Sequence, residues 1–277
     1  MKYVSFLRPD GSASYGRLDG DKVYDLAQAG SPADLKAAIA GGALAQLENG
    51  QAYDYASIKL LPVVPNPGKV LCVGHNYESH RKETGRDPVA NPSIFTRFAD
   101  TLIAHGDDLI CPKVSTDFDF EAELAIIISK PGRHISEADA ADYIAGYACF
   151  NDASVRDWQW HTRQFTPGKN FPGTAPFGPF MMTPDEAGDI SEVHVISRLN
   201  GEVMQDQPVK DMIFPIAQII AYVSAFTPLS PGDVIATGTP GGVGAKRTPP
   251  VWLKPGDTIE IDCGPFGVIK NTVTKEQ

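Results

Sequence analysis

The 277-residue sequence predicts a mixed, β-rich α+β protein whose strands are largely antiparallel. Three observations favour this class. Glycine and proline are abundant, at 26 and 23 residues, as expected of a chain with many turns. Short apolar runs recur between turn sequences, and two of them directly follow a Pro-Gly-Asp turn. Segments with the apolar spacing of a helix are few, so we expect only a few covering helices.

The first 64 residues are expected to form a small N-terminal α+β domain. Strands are predicted at Lys2–Leu7 and Lys22–Asp25, followed by a helix with Ser31 as its N-cap. Residues 61–68 contain three prolines, which suit neither a helix interior nor a strand interior. We therefore place a domain boundary between residues 64 and 65, with a larger domain at 65–277.

The larger domain is predicted to alternate short strands with short helices. Asn200-Gly201 between two strand-like runs predicts a hairpin with a type I′ turn. The remaining expected elements are strands at Lys69–Val73, Phe118–Ile128, Val234–Thr237 and Thr258–Asp262, and helices at Glu78–Glu83, Ser136–Tyr143 and Met212–Phe226.

Composition excludes several classes of partner. The net charge of −10 argues against binding nucleic acid or anionic lipid through a basic surface. No run of about 18 apolar residues predicts a membrane span, and Arg8 interrupts any signal-type sequence at the N-terminus. The four cysteines form no CxxC pair and are expected to be reduced thiols in the core. We therefore expect a cytoplasmic protein that binds neither nucleic acid nor membranes.

The segment Asp117–Ile128 places carboxylates at every second position. Its even positions are apolar, whereas its first four odd positions are Asp117, Asp119, Glu121 and Glu123. Two interpretations follow: a solvated face of an edge strand, or a divalent-metal site on which Glu121 and Glu123 converge. Asp152, which follows another apolar run, offers a third carboxylate. An all-oxygen ligand set favours Mg²⁺, Mn²⁺ or Ca²⁺ over zinc.

His80 and Glu83 are spaced to interact on one face of a helix. A carboxylate that orients an imidazole produces a general base active near pH 7, although a surface ion pair has the same spacing. The other five histidines have no such partner in the sequence and are expected to be surface or packing residues.

A glycine-rich loop, Thr237-Gly-Thr-Pro-Gly-Gly-Val-Gly244, follows an apolar strand. It matches neither the P-loop nor the dinucleotide-binding spacing. Its amide groups and Thr239 could hold a carboxylate, or the loop could be a plain tight turn. Arg156 and Lys169 supply positive charge shortly after Asp152.

The order of these motifs resembles the fumarylacetoacetate hydrolase (FAH) family over about three-quarters of the chain. The resemblance rests on seven stretches in register: Val73–His80 with Glu83, Asp119–Leu124, Asn151–Asp157, Gly168–Phe171, Ala175–Pro179, Asn200–Gln205 and Gly232–Pro240. It implies a β-sandwich roll of the kind found in the C-terminal domain of FAH, preceded by a small domain of variable form, and a homodimer.

The resemblance also implies roles for individual residues. Glu121, Glu123 and Asp152 match the ligands of the metal. His80 and Glu83 match a dyad on a short lid helix that activates water, and Lys169 matches a lysine facing a substrate oxygen. Four further residues match positions that bind substrate or line its pocket: Arg156, Gln205, Gly238 and Thr239.

The substrates implied by the resemblance are small anionic 2-oxo or 2,4-dioxo acids. Our leading hypothesis is Mg²⁺- or Mn²⁺-dependent hydrolysis of a C–C bond in an acylpyruvate-like or fumarylpyruvate-like carboxylate, with Ca²⁺ as a further candidate ion. The alternative is a decarboxylase of the oxaloacetate type, or a keto–enol isomerase of a 2-oxo diacid in aromatic or sugar-acid catabolism. A non-catalytic ligand-binding relative is a minor third hypothesis.

Overall fold

The computed structural model describes residues 1–42 and 44–277. Most of the regular structure in these residues is strand. The strands are β1 (Lys2–Leu7), β2 (Ala13–Asp19), β3 (Lys22–Asp25), β4 (Ala52–Asp54), β5 (Lys59–Leu60), β6 (Val70–Gly74), β7 (Ser93–Arg97), β8 (Leu102–Ile103), β9 (Asp108–Cys111), β10 (Phe118–Asp119), β11 (Ala122–Ile128), β12 (Ile144–Asn151), β13 (Ser154–Val155), β14 (Ala175–Met182), β15 (His194–Leu199), β16 (Glu202–Pro208), β17 (Val234–Ala236), β18 (Thr258–Asp262) and β19 (Val268–Lys275).

The α-helices are short and lie between the strands. They are α1 (Leu35–Ala40), α2 (Glu78–Glu83), α3 (Arg156–Gln159), α4 (Thr166–Lys169), α5 (Pro184–Ala187) and α6 (Ile216–Phe226). Within the described residues, no helix is long and apolar enough to span a membrane.

A large sheet runs through the molecule in the order β4-β3-β2-β1-β14-β12-β11-β17-β6-β7, with β5 paired to β1 and β8 to β14. A second sheet has the order β16-β15-β18-β19-β9, and β10 pairs with β13. Strands β11, β12 and β14 of the large sheet pack against β15, β18 and β19 of the second. Most pairs are antiparallel, so the predicted β-rich class with a sandwich of sheets is confirmed.

The large sheet is covered on both faces, which explains one error in the sequence prediction. Leu124 and Ile126 of β11 pack in the core shared with the second sheet, whereas Ala125 and Ile127 pack in a core on the opposite face. Strand β11 is therefore buried throughout rather than exposed along one face. The interpretation of Asp117–Ile128 as a solvated edge strand is wrong.

The predicted strand Phe118–Ile128 is also interrupted. At the interruption, two backbone N–H groups donate to side-chain oxygens instead of to carbonyl groups of a neighbouring strand. The Phe120 N–H donates to Asp119, and the Glu121 N–H donates to Asn151 Oδ1. The chain is thus divided into β10 and β11, with Glu121 in the gap.

The N-terminal strands extend the large sheet. Strand β1 pairs with β14 through Lys2 opposite Met182 and Tyr3 opposite Met181. The boundary at residues 64/65 stays a prediction, but the strands on its two sides belong to one hydrogen-bonded sheet.

Three helix boundaries differ from the prediction. Helix α1 begins at Leu35, because Asp34 rather than Ser31 accepts the capping hydrogen bond, from the Ala37 N–H at 2.7 Å. Helix α6 begins after Pro215, and only a 3₁₀ turn at Ala140–Tyr143 forms in the predicted helix Ser136–Tyr143. The hairpin is confirmed, since Asn200 and Gly201 both have positive φ, at 53° and 86°, as a type I′ turn requires.

Candidate active site

Three buried carboxylates converge where β11 and β12 meet. One ligand atom each of Glu121, Glu123 and Asp152 can be chosen so that all lie within 4.8 Å of one another. Glu121 lies in the gap before β11, Glu123 lies in β11, and Asp152 directly follows β12. The antiparallel pairing of β11 with β12 brings these positions together, and the Asp152 N–H donates to the Glu121 carbonyl at 3.0 Å.

Buried cations surround this triad. Lys169 Nζ lies 2.7 Å from Glu121 Oε2 and 2.7 Å from Asp152 Oδ2. Arg156 lies 2.7 Å from Glu121 Oε1, and Arg97 lies 2.6 Å from Asp152 Oδ1. We call the three carboxylates with Lys169, Arg156 and Arg97 the acidic cluster.

Arg97 was missed by the sequence analysis, since nothing around it marks it as a site residue. Asp119 has a role that the sequence did not indicate either. Its carboxylate accepts from Arg156 Nε at 2.8 Å and from the Gly244 N–H at 2.8 Å. It thereby orients Arg156 and anchors the glycine-rich loop to β10.

The carboxylates of the triad differ in their proton affinity. Burial opposes the ionisation of Glu121, but Lys169 and Arg156 outweigh it and hold the pKa of Glu121 well below its ordinary value. Burial, Asp152 and Glu121 together raise the pKa of Glu123 well above its ordinary value. Among the described residues, Glu123 has no ion-pair partner and accepts only from the Gly238 N–H, at 2.8 Å.

The donor set fits a hard divalent cation. It supplies carboxylate oxygens only, and the repulsion that raises the Glu123 pKa is the kind that a cation relieves. The acidic triad can therefore bind a divalent metal.

His80 and Glu83 lie on α2 and form a hydrogen-bonded pair. His80 Nδ1 lies 2.7 Å from Glu83 Oε1, and Glu83 Oε2 accepts from the Gly242 N–H at 2.8 Å. His80 is only 4% exposed, so the surface ion pair considered from the sequence is wrong. Because Nδ1 is engaged, Nε2 is the nitrogen that remains for a ligand.

The glycine-rich loop is more than a tight turn, because its N–H groups donate hydrogen bonds to side chains on both α2 and β10. Gly238 has φ +105°, and a Cβ there would lie 2.5 Å from Asn76 Cβ, so only glycine fits. Gln205 Nε2 donates to Thr239 Oγ1 at 2.7 Å, and its Oε1 accepts from the Ala122 N–H at 3.0 Å.

These groups surround a cavity of about 230 Å³. Its lining includes His80, Glu121, Glu123, Arg156, Lys169 and Thr239, together with the aromatic residues Phe95, Trp160, Phe165 and Trp252. Gln205 and Gly238, predicted to bind substrate, are absent from the residues that line this cavity, and the Gln205 side chain and the Gly238 N–H form hydrogen bonds within the protein. Asp152 is fully buried and is covered by Lys169.

His75, expected from the sequence to be a surface or packing residue, packs against His80 and Phe165 and also lines the cavity. Its ring lies parallel to that of His80, with centroids 5.2 Å apart. Burial is the larger cause and the nearby His80 the second, and they lower the pKa of His75 to about 4. The motif around it was visible in the sequence, but its approach to His80 depends on the turn between β6 and α2. We call His75, His80 and Glu83 the histidine wall.

A buried triad of carboxylates, a histidine–glutamate pair and a buried lysine meet around one small cavity, which is an arrangement typical of an enzyme active site. The family is shown by comparison with known proteins. Residues 69–274 match the model of the fumarylacetoacetate (FAA) hydrolase C-terminal domain, and the chain belongs to this family of enzymes. The resemblance inferred from the sequence is thereby confirmed.

Among curated proteins, the chain is 40% identical over 220 residues to the mitochondrial oxaloacetate tautomerase FAHD2A of Homo sapiens, covering 79% of this chain and 70% of that protein. Among solved structures, a fumarylacetoacetate hydrolase from psychrophilic Exiguobacterium antarcticum is 34% identical with a TM-score of 0.89, covering 100% of both chains. A 2-hydroxyhepta-2,4-diene-1,7-dioate isomerase from Mycobacterium marinum is 28% identical with a TM-score of 0.82, covering 100% of this chain and 99% of that one.

Proposed function

We propose that the protein is a metal-dependent keto–enol tautomerase of a small 2-oxo dicarboxylate, of which oxaloacetate is the simplest. The observation that carries the proposal is the position of the His80–Glu83 pair at the same small cavity as the acidic triad. The names of the similar proteins support isomerisation more than hydrolysis, since they include an oxaloacetate tautomerase and a dienedioate isomerase. The alternative from the sequence thus replaces C–C hydrolysis as our first choice.

Glu121, Glu123 and Asp152 would hold the divalent cation, with Mg²⁺ and Mn²⁺ as the first candidates. When bound, such an ion supplies Lewis-acid polarisation of the 2-oxo group, which makes the neighbouring carbon more acidic.

His80 acts as the base that takes a proton from that neighbouring carbon. Glu83 accepts a hydrogen bond from the Nδ1–H group of the His80 imidazole, which leaves the Nε2 lone pair for the substrate. The Gly242 N–H donates to the second oxygen of Glu83, so the glycine-rich loop helps to orient the pair.

Lys169 stabilises the negative charge on the enolate oxygen. Burial disfavours its ammonium form, but Asp152 and Glu121 outweigh burial and raise the pKa of Lys169 above its ordinary value. It therefore stays charged at neutral pH, where a fixed positive charge in a water-poor site favours an oxyanion. Transfer of the proton from His80 to that oxygen completes the enol and regenerates the base.

Lys246 is suited to bind the second carboxylate of the substrate. It lines the cavity, and its ammonium has no ion-pair or hydrogen-bond partner among residues 1–42 and 44–277. The turn that carries it is held in place, because the Gly244 and Ala245 N–H groups both donate to Asp119. Asp117 and Asp157 also line this side, but each already accepts a hydroxyl hydrogen bond.

The direct test is proton exchange at C3 of oxaloacetate in D₂O, followed by NMR, together with loss of the enol absorbance. We expect both rates to depend on Mg²⁺ or Mn²⁺, to disappear with EDTA and to return when the metal is restored. Metal-dependent binding of oxalate without any acceleration of exchange would contradict the proposal.

Hydrolysis of an acylpyruvate-type C–C bond is the second candidate, since the same His80–Glu83 pair could take a proton from water. Assay of acetylpyruvate and fumarylpyruvate on the same preparation distinguishes the two, because only hydrolysis releases pyruvate. We further propose that the protein is a homodimer, which sedimentation analysis would test.

A further inference from the structure

His75 connects His80 to the aromatic side of the cavity. The planes of the two imidazole rings are inclined by only 18°. On another side, Phe165 meets the His75 ring edge-on, with centroids 6.1 Å apart, and Phe165 in turn packs on Phe95. His75 thus lies between the proposed base on α2 and residues of β7 and the α3–α4 segment.

The backbone of His75 is unusual for a residue with a side chain. Its φ is +56°, in the left-handed region that glycine adopts without cost and that other residues adopt rarely. The turn by itself requires only a residue that tolerates this conformation. Histidine is one of the side chains that tolerate this region, so the backbone permits His75 there but does not explain the placement of its ring.

The His75 ring offers an uncharged face. Its pKa of about 4 means that the imidazole is neutral near pH 7. Nδ1 lies 3.4 Å from Thr84 Oγ1, and this hydroxyl also donates to the His80 carbonyl at 2.8 Å, so the ring is tied to the end of α2. Nε2 is buried without a hydrogen-bond partner among the described residues.

We propose that His75 is a positioning residue for His80: its ring lies against the His80 ring and, together with Glu83, holds Nε2 of His80 toward the substrate. Glu83 alone fixes one atom of the ring, whereas a parallel ring fixes its plane. When His80 gains a proton during turnover, an uncharged neighbouring ring does not repel it, whereas a second charge would. This inference rests on the proposed role of His80 as the base.

Three variants separate the contribution of the His75 ring from that of its backbone conformation. His75→Phe keeps an aromatic ring, whereas His75→Asn and His75→Gly remove it but tolerate positive φ. We expect kcat for C3 proton exchange to fall about 10- to 100-fold in His75→Asn and His75→Gly, because small misplacements of a base are costly. KM should change less than about 2-fold, and His75→Phe should stay within about 3-fold of wild type, since binding and the stacked ring are kept.

Thermal unfolding shows whether each variant folds, and we expect His75→Gly to unfold close to the wild-type temperature because glycine suits this backbone. Wild-type kcat in a folded His75→Gly, or an equal loss in a folded His75→Phe, would overturn the proposal.

A spectroscopic measurement tests the positioning without any substrate. The Nδ1 proton of His80 shared with Glu83 should give a low-field ¹H NMR resonance in the wild type and in His75→Phe, assigned by its absence in His80→Ala. We expect it to be broadened or lost in His75→Gly. If this pattern is found but the wild type does not accelerate proton exchange, the tautomerase proposal fails and the positioning role stands. If the resonance is unchanged in His75→Gly, the positioning role fails.

Discussion

The acidic cluster and the histidine wall face the same cavity but are built differently. The acidic cluster lies at the junction of β11 and β12 in the large sheet, and its members other than Glu123 are joined by ion pairs of 2.6–2.7 Å. The histidine wall lies on and beside α2, a helix of six residues, followed by an exposed stretch without regular structure at residues 86–91.

This difference in construction corresponds to a difference in proposed role, which is binding for the acidic cluster and proton transfer for the histidine wall. A cluster of charges needs a rigid, buried frame, because each unpaired charge would otherwise cost several kcal/mol. A base that must meet the substrate can lie on a short element held by hydrogen bonds to one loop, and such elements open at low cost. We therefore expect changes in the acidic cluster to abolish activity, and changes around the histidine wall to have graded effects.

The largest effect is expected for Glu123→Gln. The loss of one ligand charge should remove the several kcal/mol that a Lewis acid contributes, which corresponds to about 10³-fold or more in kcat/KM. Glu137→Gln, at an exposed glutamate outside the site, is the matched control for the change of charge. Near-normal turnover of Glu123→Gln in the presence of a chelator would mean that the metal assignment is wrong.

The same variant should be at least as stable as the wild type without metal. Because the pKa of Glu123 is raised above its ordinary value of 4.5, the unfolded chain releases this proton before the native protein does, so the free energy of unfolding of the wild type falls as the pH rises above that value. The stability difference between Glu123→Gln and the wild type should therefore grow from pH 5 to pH 8. Thermal unfolding in EDTA at the two pH values measures this stability difference. A difference that shrinks as the pH rises would contradict the predicted direction.

His80→Ala tests the histidine wall directly. Loss of a general base should slow C3 proton exchange, and any C–C hydrolysis, by about 10²- to 10⁴-fold. Oxaloacetate decarboxylation, if the protein has it, should fall much less because the triad still binds metal. His194→Ala, which breaks an exposed histidine–Asp206 pair, serves as the control. Equal losses in exchange and decarboxylation would show that His80 positions the substrate in both reactions.

Lys246→Met should have a moderate effect that depends on the substrate. An exposed ion pair contributes at most about 1 kcal/mol, so we expect KM for oxaloacetate to rise about 3- to 5-fold. KM for 2-oxobutanoate, which lacks the second carboxylate, should not change. Lys254→Met, at an exposed lysine away from the cavity, controls for net charge. A similar rise for both substrates would remove Lys246 from recognition of the distal carboxylate.

The smallest expected effect is a change in the mobility of one segment when a ligand binds. We predict that Glu78 to about Pro92 is mobile in the free protein and becomes ordered over a bound ligand, because its exposed part buries little by itself. Hydrogen exchange with and without oxalate, in the presence of Mn²⁺, measures this, and residues 122–128 of β11 serve as an internal reference. Equal exchange of the segment in both samples would argue against a lid.

The sequence by itself determined much of the site. The alternating carboxylates around Glu121 and Glu123 and the spacing of His80 and Glu83 are local patterns with direct chemical meaning, and the order of the motifs was sufficient to indicate the family, which comparison confirmed. Turn chemistry also determined the hairpin at Asn200-Gly201, because the conformation of two residues decides it.

The tertiary structure alone decided which of these groups meet. Arg97 and Lys169 both reach Asp152 only because β7, β12 and the α3–α4 segment converge, and no local pattern encodes that approach. The full burial of β11 depends on a second core formed by distant residues, and the contact of His75 with His80 depends on a left-handed turn. Local patterns specify which chemical groups are present, whereas pairing between distant segments sets the distances over which those groups act.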